Sequence, residues 1–236
     1  MAATSIRSTK SPARTTAARP TGRRIVRALG TLLIVIGVLA LIDAGLTLVW
    51  QEPVTALYAH VQQRRLDDRL TKLDHASAAP LARAMASSPD PQRKLDAAAH
   101  AFGRRIHSGD PIARVRIPRL GLSAVVVQGT AGSDLSKGPG HYPKTPLPGE
   151  RGTIGIAGHR TTFGAWFRHI DNLKPGDPIR LTMPYGNFTY RVQRTRIVPS
   201  DAWWITNKVS YNRLVLSACH PLYSATKRIV VFARLA

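Results

Sequence analysis

The one cysteine of the chain, Cys219, ends the apolar run Leu214–Val215–Leu216–Ser217–Ala218 and is followed at once by His220 and Pro221. A strand that ends this way presents its thiol at the strand's C-terminal edge. Nine residues on, Arg228 opens a second apolar run, Ile229–Val230–Val231–Phe232. Two antiparallel strands joined by that loop would put Cys219 and Arg228 on neighbouring strand ends. A guanidinium there favours the thiolate and can donate to a developing oxyanion.

A histidine stands in a similar position. Gly155–Ile156–Ala157–Gly158–His159–Arg160 places His159 just after a short strand, with Gly158 read as the residue that lets the chain turn tightly. Such an imidazole can act as acid and base for acyl transfer at sulfur. Taken singly, a free cysteine is usually a small buried hydrophobe and a histidine a surface or core residue. Cys, His and Arg, each at the end of a strand, point together to nucleophilic catalysis. One cysteine also means no intrachain disulfide.

The elements that must hold these residues lie after residue 110. Arg114–Pro118, Ser123–Gln128, Thr153–Ala157, Pro178–Met183, Phe188–Val192, Arg213–Ala218 and Arg228–Ala233 are short, β-branched-rich runs. Gly, Pro, Asn and Asp punctuate them closely, the pattern of an all-β barrel or sandwich. A short helix is expected around Phe163–Ile170. The eight histidines are scattered, with no acid or cysteine at ligand spacing. No Gly-rich phosphate loop and no internal repeat is present.

Upstream the texture differs. Residues 1–27 read as a disordered basic tail, with seven Lys/Arg and no acid. Residues 28–50 form a largely apolar run, long enough to cross a hydrocarbon layer of about 30 Å, with Trp50 as an interfacial anchor. The upstream cations predict the N-terminus inside and the rest outside. Residues 51–110 read as a stalk. Leu66, Leu70 and Leu73 have helical spacing among charged neighbours, and Pro80, Pro89 and Pro91 should break the helix into a flexible spacer. The net charge of +21 is spread along the chain, with eighteen Lys/Arg against five acids in 111–236. Diffuse basicity suits a polyanionic envelope better than a nucleic-acid groove, so no nucleic-acid partner is expected.

At this point the sequence resembles a known family. Ala157–Gly158–His159 is similar to the histidine motif of the sortases. Leu216–Ser217–Ala218–Cys219 is similar to their cysteine strand, with the arginine following on the next strand. Gly138–Pro139–Gly140–His141–Tyr142–Pro143, Pro148–Gly149, Gly158–His159–Arg160–Thr161–Thr162–Phe163–Gly164 and Leu173–Lys174–Pro175–Gly176–Asp177 extend the match over roughly 111–236. Cys219–His220–Pro221 with Ser224 and Arg228 is most similar to the class E enzymes of high-GC Gram-positive bacteria.

The resemblance implies an eight-stranded closed β-barrel with short helices over 111–236. It implies Cys219 as nucleophile, His159 as proton-transfer partner and Arg228 as oxyanion stabiliser. Secreted proteins with a C-terminal LPxTG or LAxTG sorting signal would be cleaved after Thr and passed to an amine of a lipid-linked peptidoglycan precursor. His141, Tyr142, Ala218 and Trp203 would line the substrate groove, while Trp204, beside Trp203, could face groove or core. His220 and His169 read as structural. Ala218 replaces the family's usual threonine and removes a hydroxyl that would face the substrate. No metal or cofactor is required, and the five separated acids of the domain predict no calcium site. The enzyme would sit in the cell membrane with its catalytic domain outside. A pilin-polymerising sortase and a non-catalytic wall-binding module are the alternatives. The intact Cys, His and Arg argue against the second.

Overall fold

The computed structural model describes residues 22–49 and 53–236. They belong to two compact units, which divide between Gly45 and Leu46. The basic tail before residue 22 and the anchoring role expected of Trp50 lie outside the described residues.

Helix α1 (Gly22–Val49), which makes up the described part of the first unit and runs four residues past it, starts earlier than the apolar run alone suggests. Its stretch Arg24–Gly45 is long and apolar enough to cross a membrane, by length and composition. At 1.5 Å per residue those 22 residues extend about 33 Å, the thickness of a hydrocarbon layer.

The second unit holds a closed barrel and two helices that lean on it. Helix α2 (Pro53–Ala86) and helix α3 (Pro91–Gly103) precede strands β1 (Pro111–Ile117), β2 (Leu122–Gln128), β3 (Gly140–His141) and β4 (Gly152–Ala157). A one-turn helix α4 (Gly132–Leu135) lies between β2 and β3. Then come β5 (Pro178–Met183), β6 (Gly186–Pro199), β7 (Asn212–His220) and β8 (Lys227–Leu235). Around the barrel the order is β1-β2-β3-β4-β7-β8-β6-β5, closed by β5 against β1. Every edge but short stretches is thereby paired, which removes the exposed ladders of an open sheet.

The region before residue 111 is not a free spacer. Ala59, Leu66, Leu70 and Leu81 of α2 are buried on one helical face. Leu66 and Leu70 pack on Val125 and Val127 of β2, and such burial contributes roughly 1.5–3 kcal/mol per side chain. The neighbours Ala124 and Val126 point the other way, into the barrel. β2 is therefore buried on both faces, which its unbroken Ala-Val-Val-Val run reflects. Gln63 tethers α2 to the same strand. Its Nε2 donates to the carbonyls of Val125 (3.0 Å) and Lys137 (2.9 Å), and its Oε1 accepts from the Val125 N–H at 2.6 Å. Arg114 of β1 adds bonds to Asp67 at 2.6 Å and Asp74 at 3.2 Å.

Pro80 does not end α2, which continues to Ala86. The break falls at the next prolines. Asp90 caps α3 by accepting from the Arg93 N–H at 2.8 Å, and Pro91 takes the first helical turn, where a missing N–H costs nothing. The helix expected at Phe163–Ile170 is absent. Phe163, Gly164 and Ala165 all have positive φ (49°, 80° and 44°), a left-handed succession that a right-handed helix cannot contain. A 3₁₀ turn follows at Ile170–Asn172.

Candidate active site

Three adjacent strands carry the predicted residues. β7 runs parallel to β4 and antiparallel to β8. Ala157 of β4 pairs with Ser217 of β7, and the Gly158 N–H extends the ladder to the Ser217 carbonyl at 3.0 Å. Two residues beyond that pair stand His159 on one side and Cys219 on the other. Across β7–β8, Cys219 pairs directly with Arg228. The row His159, Cys219, Arg228 thus crosses three neighbouring strands at one end of the barrel.

Alternation along β7 fixes which way the thiol faces. Leu214, Leu216 and Ala218 enter the barrel core. Val215 packs outside, with Val198, Ile205, Val230 and Phe232. Ser217 and Cys219 share that outer face by parity. The half-buried Cys219 borders a cavity of about 320 Å³ with Arg160, Thr161, Pro221, Tyr223, Ser224 and Ala225.

His159 is half-buried, and its ring lies 5.5 Å from that of Phe163, tilted by 38°. Burial lowers its pKa below the ordinary histidine value, which favours the neutral base. Gly158 before it serves close approach, since its φ is not positive. A Cβ there would come 2.6 Å from the ring of Phe167, which is fully buried. The guanidinium of Arg228 donates from Nη1 to the carbonyls of Ala225 (2.8 Å), in the β7–β8 loop, and Lys227 (3.0 Å), the first residue of β8.

None of the four expected groove residues lines the Cys219 cavity. Tyr142 comes nearest, its hydroxyl 2.8 Å from Oγ of Ser217 on the outer face of β7. Its ring occupies the space that a Cβ on Gly155 would need. Ala218 is corrected to a core position, 4% exposed and pointing away from Cys219, so the absent threonine hydroxyl would not have faced the thiol's side. His141 is also corrected to a buried position. Its Nδ1 meets the Gln128 side-chain amide at 2.8 Å and its Nε2 the Pro146 carbonyl at 3.0 Å. Burial pushes its pKa down to about 4. Trp203 is 80% exposed, while Trp204 stacks on Phe232 at 6.2 Å.

A residue without an assigned role in the sequence reading is Arg160. Its side chain is buried. It donates to the Arg168 carbonyl (3.1 and 2.9 Å) and to Asp171 at 3.0 Å. Its Nη1 also meets Nδ1 of His220 at 3.3 Å, so His220 serves as an acceptor behind the thiol. Arg160 thereby ties the segment after His159 to the end of β7. The motif around His159 contained it, but its partner Asp171 lies too far along the chain for spacing to suggest the pair. A larger cavity, of about 1040 Å³, lies between α3, the 141–151 segment and the 206–210 segment, and includes none of the three row residues.

The family described as Sortase domain matches residues 115–236. Sortase D of Bacillus subtilis (strain 168) is 33% identical over 147 residues, 61% of this chain and 73% of its own. Sortase SrtE1 of Streptomyces coelicolor is 29% identical over 143 residues, 54% of this chain and 41% of its own. Among solved structures, sortase E from Streptomyces avermitilis superposes with a TM-score of 0.51 at 31% identity, over 55% of this chain and 90% of that one.

Proposed function

The chain belongs to the sortase family of cysteine transpeptidases, and from that premise we propose that it is a membrane-anchored enzyme joining sorting-signal proteins to a peptidoglycan-precursor amine. The observation that supports the assignment of roles is the row of His159, Cys219 and Arg228 across β4, β7 and β8. Cys219 sulfur attacks the Thr carbonyl of an LPxTG or LAxTG signal as its proton passes to His159. The tetrahedral oxyanion takes hydrogen bonds from Arg228. Collapse breaks the Thr–Gly C–N bond, His159 returns the proton to the leaving Gly amine, and a thioester remains. The acceptor amine then attacks the thioester, His159 takes its proton, the C–S bond breaks, and His159 passes that proton to the departing sulfur to restore the thiol.

The anchor is α1, with the catalytic unit outside by the distribution of positive charge. Protease added to intact protoplasts should remove the catalytic unit, and protection of that unit would refute the orientation. Tyr142 is the groove residue best supported, since it stands on the face of β7 that carries Cys219.

The test is chemical. Full-length protein in detergent is incubated with LPxTG and LAxTG peptides and a panel of amines, and products and protein are weighed by mass spectrometry. The expected result is a peptide-amine conjugate and a Cys219 acyl-enzyme that Cys219→Ala lacks. Covalent trapping of peptide on Cys219→Ala would end the reading.

A further inference from the structure

The segment that follows His159 is held by α2 as well as by the barrel. The Phe163 N–H donates to Oγ1 of Thr55 at 3.2 Å. The Phe163 ring meets Tyr58 edge-on at 6.4 Å. Ala59 is fully buried, and a Cβ on Gly164 would come 3.2 Å from its methyl. His60 meets Trp166 edge-on at 5.5 Å. These contacts bracket the three residues of positive φ, Phe163 to Ala165. A backbone in that region persists only where its surroundings over-determine it, and here the surroundings include the first turns of α2.

The same residue leads to the site. Its ring is the one that lies against His159 at 5.5 Å. A set of contacts therefore runs from Thr55 and Tyr58 through Phe163 to the imidazole, with Ala59 against the adjacent Gly164. Farther along, α2 is fixed independently by Gln63, Leu66, Leu70 and the Arg114 pairs. Its first turns can be altered without releasing the helix from the barrel.

We propose that Thr55, Tyr58 and Ala59 are positioning residues for His159, so that the helix entering the catalytic unit completes the active site. The proposal rests on the assignment of His159 as the proton-transfer group. Loss of the brace lets Phe163 and its strained neighbours relax. The imidazole then loses both its orientation toward the thiol and its cover from water. Misplacement of a catalytic group by about 1 Å can cost 100-fold in rate, so the loss is expected chiefly in kcat.

The experiment uses the full-length chain and the variants Thr55→Val/Tyr58→Ala, Ala59→Leu and His159→Ala. The valine removes the acceptor, the alanine removes the ring, and the leucine wedges the segment away. Melting temperature first confirms that each variant is folded. Steady-state kinetics with the preferred peptide should show kcat falling about tenfold or more with KM within about twofold. The acid limb of the pH profile should move up toward the ordinary histidine range as water reaches the ring. Two folded brace variants with wild-type kcat and an unmoved acid limb, beside an inactive His159→Ala, would overturn the proposal. Should His159→Ala itself retain activity, the assignment of His159 fails instead.

Discussion

Cys219 and Arg228 are direct partners in the β7–β8 ladder, yet the Arg228 guanidinium is bonded to the carbonyls of Ala225 and Lys227. Residues paired this way in an antiparallel sheet send their side chains to the same face, with Cβ atoms about 5 Å apart. Both side chains therefore leave the same face of the ladder, and the guanidinium keeps N–H groups other than those of Nη1 that could serve an incoming carbonyl. On the proposed role, a lysine would keep the charge but lose the planar fork needed to serve loop and oxyanion together. Arg228→Lys should therefore lower kcat about 100-fold or more with little change in signal binding. Steady-state kinetics at low and high salt provide the check, and a rate within about twofold of wild type would sink the oxyanion role.

Acid should inactivate the enzyme late. In the proposed mechanism His159 takes the thiol proton only when neutral, and burial lowers its pKa. As pH falls, activity is lost through that depressed pKa, below the ordinary histidine value of about 6.5. The pH dependence of kcat/KM measures this directly. An acid limb centred above neutrality would contradict it.

His141 should make stability itself depend on pH. Its pKa is about 4 when folded against 6.5 for the free side chain. Between those values the unfolded chain binds the proton and the folded one does not. Stability is complete above about 6.5 and falls as pH drops toward 4, by at most ~3 kcal/mol. His141→Gln keeps a hydrogen-bonding amide and removes the titration. The variant's melting temperature should fall less than the wild type's between about pH 7.5 and about pH 4.5. Equal falls would show that other groups carry the acid sensitivity.

Gly158→Ala should damage both fold and chemistry. The new methyl would lie 2.6 Å from the Phe167 ring, which has no free space to retreat into. Overpacking of this kind costs about 1–3 kcal/mol. Because Gly158 immediately precedes His159, kcat should fall as well. Thermal melts and kinetics on one preparation test both, and an unchanged melting temperature would refute the close-approach account.

The placement of His159, Cys219 and Arg228 at neighbouring strand ends was legible because each follows or opens an apolar run. The outer half of β6 was not. Its Gln193–Arg194–Thr195–Arg196 stretch is exposed and charged, so it lacks the alternation of a half-buried strand, although it pairs with β8 to Lys227. β3 is two residues long and leaves no periodic trace. The role of α2 was hidden for another reason. Leu66, Leu70 and Leu73 marked a helix with an apolar face, but only the two-sided burial of Val125 and Val127 says what covers that face. Pro80 misled because a proline breaks a helix only on average, and packing by Leu81 on the far side carries α2 past it. Ala218 was harder to place, since which face of β7 a side chain takes depends on register. Ala218 and Cys219 are adjacent in sequence and opposite in space.

The placement of β7 has a kinetic corollary. The strand sits between β4, far upstream, and β8, so neither hairpin formation nor any local contact can install it alone. Closing the chain between Ala157 and Ser217 costs loop entropy that is recovered only when the barrel shuts. On the proposed roles, nucleophile and histidine come together only through the β4–β7 pairing, a contact of long sequence separation expected to form late in folding. Amide hydrogens of β7 should exchange with solvent only through global opening, so that catalytic competence and the slowest-exchanging core arise together.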